Sequence, residues 1–327
     1  MFGKKKDGKQ VRYPGFRMAM DGNTAVIMCE REASDAAGAY PITPSTQMGE
    51  YWAEEAAKGH INISGRPLIF IEPEGEHAAA AVTAGMSMSG LRASNFSSAQ
   101  GIAYMHESLY AAVGKRLPYV LNMGCRAITK SSLNVHCGHD DYHCIDDTGF
   151  AQVLGKNAQE AADLNLIGRK LAELSLTPAV VAQDGFLTTH TIETVRLPEP
   201  AFMKEFLGDP QERVPCLMDP HHPVMSGVVQ NQDSYMKGKV AQRFFTDRVL
   251  GFVREAMNTY GEATGRSLDL VKGYRMEDAE VAILTGRAKG KEREGILMGL
   301  LDGSIDILVG THSIFQDTVS YKDLGLV

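Results

Sequence analysis

The sequence predicts an α/β fold with a mostly parallel sheet, followed by a short C-terminal βαβ segment. Three observations carry this. Strand-like and helix-like stretches alternate through the first two thirds of the chain. The strand-like stretches are short, unbroken apolar runs, the pattern of strands covered on both faces. Residues 281–312 then repeat strand, helix and strand once more.

Residues 1–21 are basic, with no apolar segment after the lysines, so they are expected to be a solvated tail and not a secretory signal. Residues 22–36 (GNTAVIMCEREASDA) predict a helix with Asn23 or Thr24 near its cap. A short GAYPITPS stretch leads to a second helix at 45–59, and PLIFIE at 67–72 predicts a buried strand. Residues 75–90 (GEHAAAAVTAGMSMSG) carry small side chains all round, which predicts a helix packed closely on every face. A strand at 92–96, a helix at 102–113 and the strand PYVLNM at 118–123 follow. An amphipathic helix at 157–174 precedes the buried strand PAVVAQDG. Proline, glycine and polar residues dominate 197–240, which reads as an excursion over the surface, and 240–265 returns as one long amphipathic helix.

Composition narrows the function. The chain has 327 residues, 44% hydrophobic and 22% charged, with a formal charge of −7 and a pI near 5.8. That balance gives no general attraction to nucleic acid or anionic membrane. No apolar run approaches the roughly 18–20 residues of a membrane span. Five cysteines make no CxxC pair, which fits reduced thiols in a cytoplasmic protein and argues against an iron–sulfur cluster on this chain.

On parallel sheets, ligands gather at the carboxyl ends of strands. Four segments fall there: Tyr40–Ser45 (YPITPS), Glu72–Glu76 (EPEGE), Phe96–Gly101 (FSSAQG) and Asn122–Arg126 (NMGCR). Singly, each has an ordinary structural reading: a proline-stiffened turn, an acidic helix start, a polar loop, a surface arginine. Together they set a carboxylate, a guanidinium and hydroxyls on one rim, a coherent site for an anionic substrate. The cluster His136, Cys137, His139, His143 and Cys144 is rich in zinc-type ligands.

GNTA, YPITPST, the Glu-x-x-x-Glu turn before an alanine–glycine helix, F-x-x-x-QG, the arginine after the next strand, DDTGFAQ and DGFLTTH occur in this order. In that order and spacing they resemble pyruvate:ferredoxin oxidoreductases, from about residue 22 to 283. The resemblance implies a thiamine-diphosphate-binding fold of the pyrimidine type over 22–283. It implies oxidative decarboxylation of a 2-oxo acid such as pyruvate to acyl-CoA, with coenzyme A and ferredoxin as partners. It assigns Glu76 to the aminopyrimidine as catalytic and cofactor-binding residue, and Thr43 and Arg126 to the substrate. Diphosphate, magnesium and iron–sulfur clusters belong to other domains, so the chain is expected to be inactive alone and to pair with a second copy or other subunits. No metal is expected in the 136–144 loop, which related enzymes carry without one. Leu187 departs from the family, standing where a basic residue is common, which bears on substrate preference.

Residues 284–327 resemble something else: the L-T-G, G-K-x-R, I-D-I-L-V-G-T-H and K-D-L-G-L-V order of RecG-like branch-migrating DNA helicases. No GxxxxGK[ST] phosphate loop occurs upstream, so a motor is not expected. The segment is expected to be a βαβ fragment from a fusion or truncation. The alternatives to the oxidoreductase reading are a helicase fragment, which the acidic balance opposes, and a non-catalytic α/β interaction module.

Overall fold

A computed structural model describes residues 11–270, 279–316 and 318–324. Contacts divide the chain into two compact units, Met1–Leu268 and Asp269–Val327. The expected boundary near residue 283 lies inside the second of them.

Six parallel strands form the first unit's sheet: β2 (Ala36–Gly38), β3 (Ile69–Ile71), β4 (Ala93–Ser97), β5 (Val120–Cys125), β6 (Ala151–Gly155) and β7 (Ala179–Asp184), in the order β3-β2-β4-β5-β7-β6. A separate antiparallel pair joins β1 (Phe16–Met20) to β8 (Glu193–Leu197). Residues 16–20, inside the expected tail, thus form a strand that is exposed except at Met20. Tyr13 is anchored too, its backbone N–H donating to Ala263 O at 3.0 Å.

Side-chain alternation along the central strands sorts the helices onto two faces. Val120 and Val181 pack with α1 (Gly22–Ala33) and α6 (Ala158–Ser175). Their neighbours Leu121, Met123, Val180 and Ala182 pack with α3 (Glu76–Met88) and α4 (Ala99–Gly114). Helix α2 (Thr46–Ala57) covers the β3 side through buried Met48 and Trp52. Between α1, α6 and the sheet lies a fully buried pair, Glu30 and Arg169, at 2.9 Å.

Several local expectations are corrected. The cap of α1 is Asp21, whose carboxylate accepts from Thr24 N at 2.7 Å, which frees Asn23 to point inward. β3 is an edge strand with Ile69 and Ile71 each 44% exposed; of its apolar run, Leu68 and Phe70 pack into the cluster with Met48 and Trp52 of α2. α3 is covered only on the side facing the sheet and α4; Ala81 on its other side is exposed. The stretch 197–240 is not all surface: α7 (Pro200–Leu207) starts on proline in its first turn and buries Phe202, Met203, Phe206 and Leu207. The long helix after it is two helices, α9 (Gln232–Thr246), which buries nothing, and α10 (Val249–Thr264), which buries Val253, Ala256, Met257 and Tyr260. Two short helices, α5 (Asp140–His143) and α8 (Pro210–Arg213), complete the unit.

In the second unit β9 (Val281–Leu284) and β10 (Ile307–Gly310) pair in parallel through α11 (Gly290–Asp302). Only Gly299 and Leu300 of α11 are buried, and Ile283 on β9 is 65% exposed. Among the described residues no helix is long and apolar enough to cross a membrane.

Candidate active site

The strand order reverses between β2 and β4: β3 adds on one side of β2, while β5 and the rest continue beyond β4. At such a switch the connections diverge from the carboxyl ends and leave a crevice. The loop after β2 and the N-termini of α3 and α4 border it.

The loop Tyr40–Ser45 enters through a cis Thr43–Pro44 bond. It is clamped from α1, where Asn23 Nδ2 donates to Pro44 O at 2.8 Å while Gln183 Nε2 donates to Asn23 Oδ1 at 3.2 Å. Pro44 rests on two glycines. A Cβ on Gly124 would meet Pro44 Cγ at 3.0 Å, and one on Gly185 would meet it at 2.9 Å and Cys125 O at 2.1 Å. Gly124 lies one residue before the end of β5 and Gly185 directly after β7, so the loop is pressed onto bare backbone.

Arg126 follows β5 directly. Its Nη1 donates to Thr43 O at 2.8 Å and its Nη2 to Gln100 Oε1 at 2.5 Å. Burial pulls its guanidinium below the usual range, opposed by the charges of Asp141 and Glu76. Among the described residues its Nε is buried without a partner, as are Ser97 Oγ and Ser98 Oγ at the end of β4. Asp141, fully buried, joins the two strand ends by accepting from Arg126 N at 2.7 Å and from Ala99 N at 2.9 Å. Burial raises the Asp141 carboxyl above its usual range against the pull of these N–H groups. Ala99 sits in the left-handed region at φ 42°, a conformation an alanine holds only under such restraint.

Glu76 opens α3, where the helix dipole favours a carboxylate. It lies against the first turn of α4: a Cβ on Gly101 would meet Glu76 Cγ at 2.8 Å and Ser97 Oγ at 2.5 Å. Among the described residues no donor reaches the Glu76 carboxylate. The three expected residues are thus at one rim. Thr43 and Arg126 touch through the threonine carbonyl, with Glu76 in electrostatic reach of Arg126. Gln100 and the supporting glycines were missed as individuals, although QG and NMG stood in the motifs; Asp141 carried no site role in the sequence reading. A cleft of about 90 Å³ adjoins the same strand ends and is lined by Tyr40, Ser45, Glu50, Phe70, Glu72 and Phe96, not by Glu76 or Arg126.

The five residues of the 136–144 loop do not converge. His136 packs edge-on to Phe186 at 5.7 Å, His143 bonds Asp146 at 3.0 Å, and Cys144 lies against the α3–α4 core. Cys137 and His139 instead meet Asp184 at the end of β7.

The fold is an α/β fold similar to that of thiamine-diphosphate-dependent oxidoreductases. A solved structure of 2-oxoglutarate:ferredoxin oxidoreductase from Magnetococcus marinus, with 2-oxoglutarate, coenzyme A and succinyl-CoA bound, shares this fold. The TM-score is 0.61 at 19% identity, over 92% of this chain and 55% of that one. Residues 29–258 match the family described as pyruvate flavodoxin/ferredoxin oxidoreductase, thiamine diP-bdg, and the chain belongs to that thiamine-diphosphate-binding family. It is 35% identical over 267 residues to pyruvate synthase subunit PorA of Thermotoga maritima, covering 81% of this chain and 66% of the relative. It is 34% identical over 284 residues to PorA of Pyrococcus furiosus, covering 86% and 70%. It is 31% identical over 272 residues to a pyruvate-flavodoxin oxidoreductase of Klebsiella pneumoniae, covering 83% and 23%. The chain thus spans about two thirds of the PorA relatives and a quarter of the longer enzyme. None of these relatives supports the helicase resemblance of residues 284–327.

Proposed function

We propose that the chain is the aminopyrimidine-binding part of a 2-oxo acid:ferredoxin oxidoreductase acting on pyruvate or a close analogue. The observation that carries this is the single rim where Arg126, the Thr43 loop and Glu76 meet at the strand-order switch. The residues present fit the cofactor: among the described residues, a carboxylate without a donor, a glycine at 101 that lets this carboxylate lie against the first turn of α4, and buried polar atoms without partners at Ser97, Ser98 and Arg126.

When bound, thiamine diphosphate supplies the electron sink for decarboxylation. The Glu76 carboxylate holds a proton at a ring nitrogen of the aminopyrimidine, and Gly101 sets its approach. Arg126 uses two of its five N–H groups on Thr43 and Gln100 and keeps the remainder for a carboxylate. Asp141 fixes the backbone on both sides of that arginine. The Thr43 hydroxyl, on an exposed residue of the rim, contacts substrate. In the complete cytoplasmic enzyme, other domains or subunits carry the diphosphate, magnesium and iron–sulfur clusters, and coenzyme A and ferredoxin take the acyl group and the electrons. A second copy or further subunits complete the assembly.

The test is Glu76→Gln in the enzyme assembled with its partner subunits. Loss of one acid–base element slows proton exchange at the thiazolium carbon by about 10²–10⁴-fold. Exchange at the wild-type rate overturns the assignment.

A further inference from the structure

A thiol, an imidazole and a carboxylate that the oxidoreductase reading does not use meet beside the site. One donor atom from each of Cys137, His139 and Asp184 lies within 4.8 Å of the other two. The His139 Nε2 to Asp184 Oδ1 separation is 3.1 Å.

Both arms are held by backbone, while the Cys137 thiol hydrogen-bonds the Cys125 thiol and His139 pairs with Asp184, contacts that an ion would exchange for ligation. Ala127 N donates to His136 O at 2.9 Å and folds the 127–139 loop onto itself. Gly138 packs so closely on Ala127 that an added Cβ would meet the Ala127 Cβ at 3.1 Å. His139 then turns through the left-handed region at φ 58°. On the other arm, Asp184 O accepts from Thr188 N and Thr189 N at 3.0 and 3.1 Å, and Gly185 N donates to Cys125 O at 2.9 Å. The side chains of His139 and Asp184 are 44% and 33% exposed, so an ion can enter from solvent.

Against the sequence expectation of no metal in the 136–144 loop, but with Asp184 brought in from the end of β7, we propose that Cys137, His139 and Asp184 bind one zinc-type divalent cation, with water completing a tetrahedral shell. Bond lengths of about 2.0–2.3 Å to such an ion place its donors roughly 3.5 Å apart, within reach of small side-chain rotations from the present spacing. A thiolate with an imidazole selects zinc-type ions over magnesium or calcium, which take oxygen donors. The ion ties the 127–139 loop to the end of β7, next to Arg126, and makes this loop a metal-dependent wall of the rim. The site stands independently of the role given to Glu76.

Cobalt(II) tests it on the full chain after chelator treatment and dialysis. One cobalt per chain is expected, with a thiolate-to-cobalt absorption band and the intense visible bands of tetrahedral cobalt, all bleached by zinc. Cys137→Ser removes the thiolate band. Asp184→Asn and His139→Asn each weaken zinc binding by at least the roughly 10–100-fold seen when a ligand's supporting partner is lost. Cys216→Ser, at an exposed thiol away from the cluster, leaves the band unchanged. Metal-free unfolding curves that match wild type establish that the variants fold, and His139→Asn substitutes if Cys137→Ser does not. No band, a band that survives Cys137→Ser, or one that vanishes with Cys216→Ser overturns the proposal.

Discussion

Replacing Glu30 by glutamine attacks the centre of the first unit without touching its surface. Glu30 and Arg169 are both 0% exposed. The carboxylate accepts from Arg169 Nη2 at 2.9 Å, Ser34 Oγ at 2.5 Å, Ser94 Oγ at 2.7 Å, and Asn122 and Asn165 Nδ2 at 2.8 Å each. A glutamine keeps one acceptor oxygen, turns an NH₂ towards donors and strands the guanidinium. Breaking a buried pair from one side costs about 3–5 kcal/mol, a large share of the roughly 5–15 kcal/mol that holds a domain together. Urea unfolding followed by fluorescence of Trp52, the single tryptophan and fully buried in the same unit, reads the loss directly. With slopes of about 1–3 kcal/mol per molar, the midpoint falls by more than about 1 M. Acid adds a second readout. Burial by itself raises the Glu30 carboxyl, but Arg169 and the hydroxyl and amide donors outweigh it and hold it below the usual range. A carboxyl lowered by folding stabilises fully above its unfolded pKa, about 4.3. That contribution disappears as pH falls through the lowered value. The wild type therefore loses stability along an acid limb that Glu30→Gln flattens. Joint replacement of Glu30 and Arg169 by methionine recovers stability relative to Glu30→Gln, because no charge is left unpaired. A loss under about 1 kcal/mol, or an unchanged acid limb, refutes the pair as the unit's central tie.

Three further outcomes follow from the geometry. Gly101→Ala sets a Cβ 2.8 Å from Glu76 Cγ, so it displaces that carboxylate and weakens thiamine diphosphate binding in the assembled enzyme; calorimetric affinity equal to wild type counts against contact at this point. Arg126→Ala raises KM for the 2-oxo acid, by the factor matching a lost charge-assisted contact of about 1.5–3 kcal/mol, with cofactor affinity retained; equal damage to both sinks its assignment to substrate. Amide exchange in β9, α11 and β10 runs faster than in the six-stranded sheet, since a two-stranded unit with so little buried on α11 offsets little of its ordering entropy. Equal protection in both units refutes that ranking.

Much of the chemistry was legible in order along the chain because motifs at strand ends are local. YPITPS, EPEGEH, FSSAQG and NMGCR each lie within a few residues of a strand terminus, so their residue types and the α/β alternation could be read together. Edge and centre could not be told apart this way. PLIFIE and PYVLNM are similar apolar runs, yet β3 borders the sheet and β5 lies within it, a difference set by strand order alone. Nor could the single helix at 240–265 be divided, since nothing in its periodicity says that α10 meets α6 while α9 meets no core. The loop 136–144 shows the same limit: five potential ligands close in sequence scatter, and two of them meet Asp184 from a different strand. By itself the sequence determined the fold class, the family and the residue types gathered at the rim, because propensity, apolar periodicity and motif order are properties of neighbours along the chain. Tertiary structure alone decided which of those groups touch. Arg126 reaches Thr43 O, Asp141 spans two strand ends, and Glu30 meets Arg169, all through a strand order that brings distant segments together.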